Sequence, residues 1–296
     1  MDALSKYLDY LKYEKRVSLH TVTAYGTDLD QFFSYAKLSF GITELTNIDA
    51  QIVRTWIITL MEEDNSTRSI NRKVSALRSF FNYHIKTGTL SNNPMLQVVA
   101  PKTSKRLPYF VDKTDMDRLF SENLFDDTFE GWRDRTIIEL FYSTGIRLSE
   151  LINIRFKDID FYECTVKVLG KRNKERIIPF GHKTKELLQK YIELAHSELH
   201  TESEDSFLFF TAKSNKIYPK AVYNIVRKYL DQITTIDKRS PHVIRHTFAT
   251  HMLDNGADIN AIKEILGHAN LAATQIYTHN SIEKLKNIYK QAHPRA

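Results

Sequence analysis

The chain has 296 residues, 42% of them hydrophobic and 26% charged, with a formal net charge of +6; this is material for about two domains of ~150 residues and excludes a disordered or collagen-like chain. One cysteine, Cys164, excludes an internal disulfide framework and a four-cysteine zinc site, and suits a reducing compartment. No apolar run approaches the ~20 residues of a membrane span, and the opening MDALSKYLDYLKYEKR is charged throughout, unlike a signal peptide, so a soluble cytoplasmic protein without membrane insertion is expected.

Gly and Pro together make up roughly 5% of the chain, well below average usage, which favours helices. Leu4, Leu8 and Leu11, with Tyr7, recur at helical spacing. Ser18 is a natural N-cap for a second helix carrying Val22, Tyr25, Leu29, Phe32 and Phe33. A third helix is predicted over 49–63 and a fourth over 66–87, the latter burying Ile70, Val74, Leu77, Phe80, Phe81 and Ile85. Arg68, Arg72 and Arg78 fall largely off that stripe and are expected to point outward. Between Asn65 and Val111 there is no acidic residue, but there are eight basic ones: Arg68, Arg72, Lys73, Arg78, Lys86, Lys102, Lys105 and Arg106. A one-sign stretch of this kind suits a polyanion such as nucleic acid, against the commoner alternative of a solvated basic face.

Periodicity is lost over 94–108, which holds three prolines and a basic KTSKR, so an interdomain linker is predicted there. The expected domains are thus 1–93, all helical, and 109–296, mostly helical with one small antiparallel sheet. In the second domain, helices are predicted near 112–122 and 131–143, and TVKVL and ERIIPF read as strands joined by the turn GKRNK.

Four segments of the second domain carry residue types suited to phosphate chemistry. In TGIRLSEL (144–151), Gly145 breaks the chain and Arg147 opens a helix, where backbone N–H groups and a guanidinium both favour anions. Taken alone, such an arginine is more often paired with an acid such as Glu150. The hairpin tip GKRNKER (170–176) offers Lys171 and Lys174, and spacing does not choose between them. In HVIRHTFATH (242–251), after Ser240-Pro241, His242 and Arg245 share one helical face. His242 and His246 are also four apart, but Val243 stands where a zinc-protease helix needs Glu. The fourth segment runs from Asp258, a predicted N-cap, through a helix closed by Gly267, then His268 and a second short helix holding TQIYTH (274–279). A tyrosine of ordinary pKa is about a thousandth ionised at pH 7 and needs help losing its proton. Two arginines would stabilise charge on an attacked phosphodiester, and a lysine or histidine would protonate a leaving alkoxide. This inventory covers the reaction without a metal or cofactor, and none is expected.

Together TGIRLSEL, GKRNKERIIP, HVIRHTFATH, LGHAN and TQIYTH resemble the tyrosine recombinase (lambda integrase-like) family. Within it the chain is similar to the Xer recombinases: SLHTVTAYGTDL, RSINRKVSALRSFF and NNP resemble their core-binding domain, and the terminal HPRA resembles the XerD ending. The resemblance implies a SAM-like core-binding domain over 1–93 and a catalytic domain over 109–296. It implies Tyr277 as nucleophile, Arg147 and Arg245 as the phosphate clamp, His268 as a further donor, Lys171 as general acid and His242 as the assistant to tyrosine deprotonation. Arg68, Arg72, Lys73, Arg78, Lys105, Arg172 and Lys220 become candidate DNA contacts, with Arg172 standing where relatives usually have Gly. The implied partners are double-stranded DNA with inverted half-sites, three further subunits (copies of itself or a second Xer-type recombinase) in a tetramer on two sites, and an FtsK-like DNA translocase. The implied role is resolution of chromosome dimers at a dif-like site during segregation and cell division; a mobile-element integrase or a type IB topoisomerase-like strand transferase are the alternatives. Ile282, Leu285, Ile288 and Tyr289 form an apolar stripe near the end of the sequence, expected to dock into a neighbouring subunit.

Overall fold

The structure, a computed structural model, describes residues 2–103, 109–122, 124–170, 174–199, 203, 205–267 and 279–296. It divides into two compact units, Met1–Arg106 and Leu107–Ala296.

The first unit is helical. Helix α1 (Asp2–Asp9) runs into a wider turn at Tyr10–Glu14, and α2 (Leu19–Phe40), α3 (Ala50–Glu62) and α4 (Thr67–Lys86) follow. Each of the last three starts at the polar residue its sequence supplies. Ser18, Asp49 and Ser66 accept hydrogen bonds from the backbone N–H of Thr21, Ile52 and Ser69, satisfying donors that a helix start otherwise leaves orphaned. The core gathers Tyr7, Leu29, Phe32, Trp56, Phe80 and Phe81, all nearly inaccessible. Phe80 meets the Tyr7 ring edge-on at 5.3 Å between centroids, a favourable aromatic geometry.

Arg68, Arg72 and Arg78 lie on the exposed side of α4 as expected. Lys73, a candidate DNA contact, does not: it is 7% exposed. Its Nζ lies 3.2 Å from a carboxylate oxygen of Asp28 and also reaches Gln31. Asp28 on α2 is itself buried, and a buried carboxylate needs cationic partners; Lys73 and, from the rim, Arg72 supply them. Lys73 is therefore a structural cation and its charge does not reach the surface.

The second unit is built on α6 (Phe129–Thr144), which is buried along most of its length. Around it lie α5 (Lys113–Ser121), the single turn α7 (Leu148–Leu151), α8 (His182–Leu199), α9 (Pro219–Ile233), α10 (Pro241–Asp254), α11 (Ile259–Leu266) and α12 (His279–Ala292). The predicted hairpin is present as β2 (Thr165–Leu169) and β3 (Glu175–Pro179), and β1 (Ile159–Asp160) extends it to a three-stranded antiparallel sheet. Val166 pairs with Ile178 and Val168 with Arg176. Alternation along β3 places Arg176 on the buried face with Ile178. The chain is thus mainly α, with a small antiparallel sheet in its second unit.

Helix α12 corrects one expectation. Its apolar stripe is not presented to a neighbour: Leu285, Tyr289 and Ala292 are buried in the core of their own unit. The residues after it dock there as well. His293 is buried, its Nε2 donating to the Tyr142 carbonyl at 3.0 Å and its Nδ1 accepting from the Arg295 backbone N–H at 2.9 Å. Arg295 makes a forked ion pair with Glu139 in the middle of α6. An apolar stripe shows that a helix is covered; these contacts show that its own domain covers it.

Candidate active site

Helix α6 ends at Gly145, whose φ of +60° is left-handed. A Cβ there would fall 2.6 Å from Phe248 and 2.7 Å from Leu266, so both the conformation and the close approach of α10 and α11 demand glycine. The chain reverses through Ile146 and reaches Arg147, the N-cap of α7. Glu150, three residues on, turns its carboxylate back: Oε2 accepts from the Arg147 backbone N–H at 2.7 Å and Oε1 from its Nη1 at 2.9 Å. The Arg147–Glu150 pairing weighed from sequence alone is therefore present.

A second arginine grips the same carboxylate. Arg176, 5% exposed, donates from Nη1 and Nη2 to the two oxygens of Glu150, each at 2.8 Å. Forked pairing of this kind is the strong form of an arginine–carboxylate contact. Burial alone would raise the Glu150 carboxyl; the hydrogen bonds and charge of Arg176, then Arg147, more than offset it and hold the group down at about 2.

The third arginine comes from α10. Helix α10 starts at Ser240-Pro241 as the sequence indicates, and Arg245 donates from Nη1 to the Gly145 carbonyl and from Nη2 to the Leu266 carbonyl. Burial lowers Arg245 to about 10, helped by repulsion from Arg147 and Arg176 and opposed by Glu150. It remains charged at neutral pH. Three guanidiniums against one carboxylate leave an excess of positive charge that an anion would relieve.

These arginines meet at one place. The last turn of α11 leaves its carbonyls unpaired at the negative end of the helix dipole. The Ile265 carbonyl accepts from Arg176 Nε at 2.8 Å, the Leu266 carbonyl from Arg245 at 2.7 Å, and the Gly267 carbonyl from Arg147 Nη2 at 3.1 Å. Asp258 caps the start of α11 and Gly267, with φ +64°, closes it, both as predicted.

Of the other candidates, His242 is exposed near the start of α10, three residues from Arg245, and the backbone carbonyl of Lys174 accepts from the Gly170 backbone N–H at 2.8 Å. Lys220 is exposed on α9 with its Nζ over the Tyr223 ring. Lys105, Lys171, Arg172, His268 and Tyr277 lie outside the described residues. No group of three or more His, Cys, Asp or Glu among the described residues is placed to hold a metal. Sequence reasoning missed Arg176; the available signal was its alternation with Ile178, which puts a cation on the inner face of a strand and so demands a buried partner.

Comparison with known proteins places the chain in a family. Residues 110–284 match the Phage integrase family, and residues 4–88 match the Phage integrase, N-terminal SAM-like domain. The chain is 37% identical to a Tyrosine recombinase XerC of Anoxybacillus flavithermus, over 99% of this chain and 98% of that one. It is 34% identical to a Tyrosine recombinase XerD of Listeria monocytogenes, over 100% and 99%. Among solved structures, XerH site-specific recombinase bound to a palindromic difH substrate superposes with a TM-score of 0.72 at 20% identity, over 97% of this chain and 80% of that one. The chain belongs to the phage integrase family of tyrosine recombinases and is an enzyme of that class, a DNA strand-transferase.

Proposed function

We propose that this chain is a site-specific recombinase that resolves chromosome dimers at a dif-like site during segregation and cell division. The observation that carries the chemistry is the convergence of Arg147 and Arg245 on the adjacent carbonyls of Gly267 and Leu266, immediately before His268. Two guanidiniums anchored in this way form a preorganised cradle for a phosphodiester. The chromosomal role is supported by the full-length likeness to proteins named XerC and XerD.

In this reading Tyr277 Oη attacks the scissile phosphorus and the bond to the 5′-oxygen breaks, leaving a 3′-phosphotyrosyl link. Arg147 and Arg245 bind the non-bridging oxygens, with His268 adding a hydrogen bond. His242 assists removal of the tyrosine proton, and Lys171 protonates the departing 5′-oxygen. A partner strand's 5′-hydroxyl then reverses the step and frees Tyr277. One phosphodiester replaces another of similar energy, so neither ATP nor a metal is needed. The domain of 1–93 binds the core of the site, the 94–108 linker joins it to the catalytic domain of 109–296, and Arg68, Arg72, Arg78, Lys105, Arg172 and Lys220 contact DNA. The working assembly is a tetramer on two sites, of this chain alone or with a second Xer-type chain, under an FtsK-like translocase.

The test is a nicked suicide duplex bearing a dif-like chromosomal site. A covalent protein–DNA complex is expected, resistant to denaturant and carrying a free 5′-hydroxyl on the released fragment. A dif-like duplex that is never cut, beside efficient cutting of mobile-element ends, would replace the chromosomal reading with that of a mobile-element integrase.

A further inference from the structure

A carboxylate beside a phosphate-binding arginine is a competitor for it. Glu150 accepts twice from Arg147, through backbone and side chain, and left to that single partner it would neutralise the charge that a phosphate needs. Arg176 changes the balance. It occupies both carboxylate oxygens at 2.8 Å and brings a second positive charge, so the charged groups acting on Arg245 are two guanidiniums and one carboxylate. Its Nε also donates to the Ile265 carbonyl, and a Cβ added at Gly267 would lie 3.2 Å from its Cδ and Nε, so the guanidinium lies against the turn that closes α11. At 5% exposure it has no access to a duplex and acts only through these partners.

We propose that Arg176 is a positioning residue for strand transfer: by holding both oxygens of Glu150 and the Ile265 carbonyl, it leaves the charge of Arg147 available to the scissile phosphate and fixes the turn that leads into His268. This rests on the reading above that Arg147 clamps the phosphate. Lysine cannot take the place, because a single ammonium does not present the two parallel donors and the third N–H that the three acceptors use.

The experiment is single-turnover formation of the covalent complex by the full chain at saturating protein, on a nicked duplex bearing a dif-like site, with half-site affinity measured alongside. Arg176→Met is expected to slow cleavage about 100-fold while half-site Kd moves by less than about threefold; Arg176→Lys is expected to slow it about tenfold. In the double variant Glu150→Gln/Arg176→Met the competing charge is gone, and cleavage should recover at least about tenfold over Arg176→Met. A merely structural arginine would give no such rescue. Wild-type cleavage by Arg176→Met or Arg176→Lys, or a double variant no faster than Arg176→Met, overturns the proposal. If circular dichroism shows that Arg176→Met does not fold, the comparison of Arg176→Lys with wild type decides. Arg147→Ala in the same assay separates the two readings: wild-type cleavage by it removes the phosphate clamp itself, whereas slow cleavage by it beside a wild-type Arg176→Lys removes only the role given to Arg176.

Discussion

Arg295 closes on Glu139 with two hydrogen bonds, Nε to Oε1 at 3.1 Å and Nη2 to Oε2 at 2.9 Å. Glu139 is wholly buried, and the Thr184 hydroxyl also donates to its Oε1 at 3.0 Å. Removing the cation from such a pair leaves an uncompensated buried charge, a loss of about 3–5 kcal/mol. Arg295→Ala should therefore lower the melting temperature of the full chain by on the order of 10 °C, read by calorimetry. Deleting residues 282–296 should cost more, because Leu285, Tyr289 and Ala292 leave the core with it. Truncated protein melting within a degree or two of wild type would show that the tail is dispensable to its own domain.

Acid stability should depend on His293. Burial lowers it to about 3, whereas an unfolded histidine titrates near ~6.5. Below that pH the unfolded chain binds a proton that the folded one refuses, so stability falls as pH drops from ~6.5 towards 3, by up to ~1.4 kcal/mol per unit. His251, also lowered by burial, acts in the same direction. His293→Gln can keep a donor to the Tyr142 carbonyl and has no titrating ring. Its acid limb in a denaturation series should be shallower than that of wild type, and an unchanged slope would assign the acid loss to other groups.

Salt dependence separates the basic residues of α4. Each lost phosphate contact takes about 0.9 from the log–log slope of affinity against salt. Arg68→Ala/Arg78→Ala should flatten the slope by up to about 1.8 in anisotropy titrations on a half-site. Lys73→Met should leave the slope alone and lower the melting temperature, because Asp28 loses a buried partner. The reverse pattern would put Lys73 on the DNA.

Chemistry is isolated by Tyr277→Phe, which keeps the ring and removes the oxygen proposed as nucleophile. It should bind a half-site like wild type and form no covalent adduct, and wild-type cleavage should persist in excess EDTA. An adduct from the Phe variant, or cleavage restored to a chelated enzyme by zinc or magnesium, would remove the assignment.

What was legible in the sequence follows the range of the interaction. Ser18 and Asp258 as caps, Gly145 and Gly267 as stops, and the pairing of TVKVL with ERIIPF are decided by neighbours within a few residues, and all are present. Lys73 was misplaced because its environment is set by Asp28 on another helix, 45 residues away. Arg176 was missed for the same reason, since Glu150 and Ile265 come to it from different elements. The stripe on α12 was seen correctly, but periodicity shows only that a face is covered and says nothing of which chain covers it.

The grip of Arg295 on Glu139 also has a meaning in time. The two residues are 156 positions apart, so during synthesis α6 emerges long before the cation that its carboxylate requires. Until then Glu139 has Thr184 at best, and at first not even that. At ~5–20 residues per second, several seconds pass in which the central helix cannot be sealed inside the domain without leaving a charge bare. The catalytic domain is thus expected to close late, after the Met1–Arg106 unit has had time to fold, and a ribosome stalled between residues 200 and 290 should carry a protease-resistant first unit and a protease-sensitive second one.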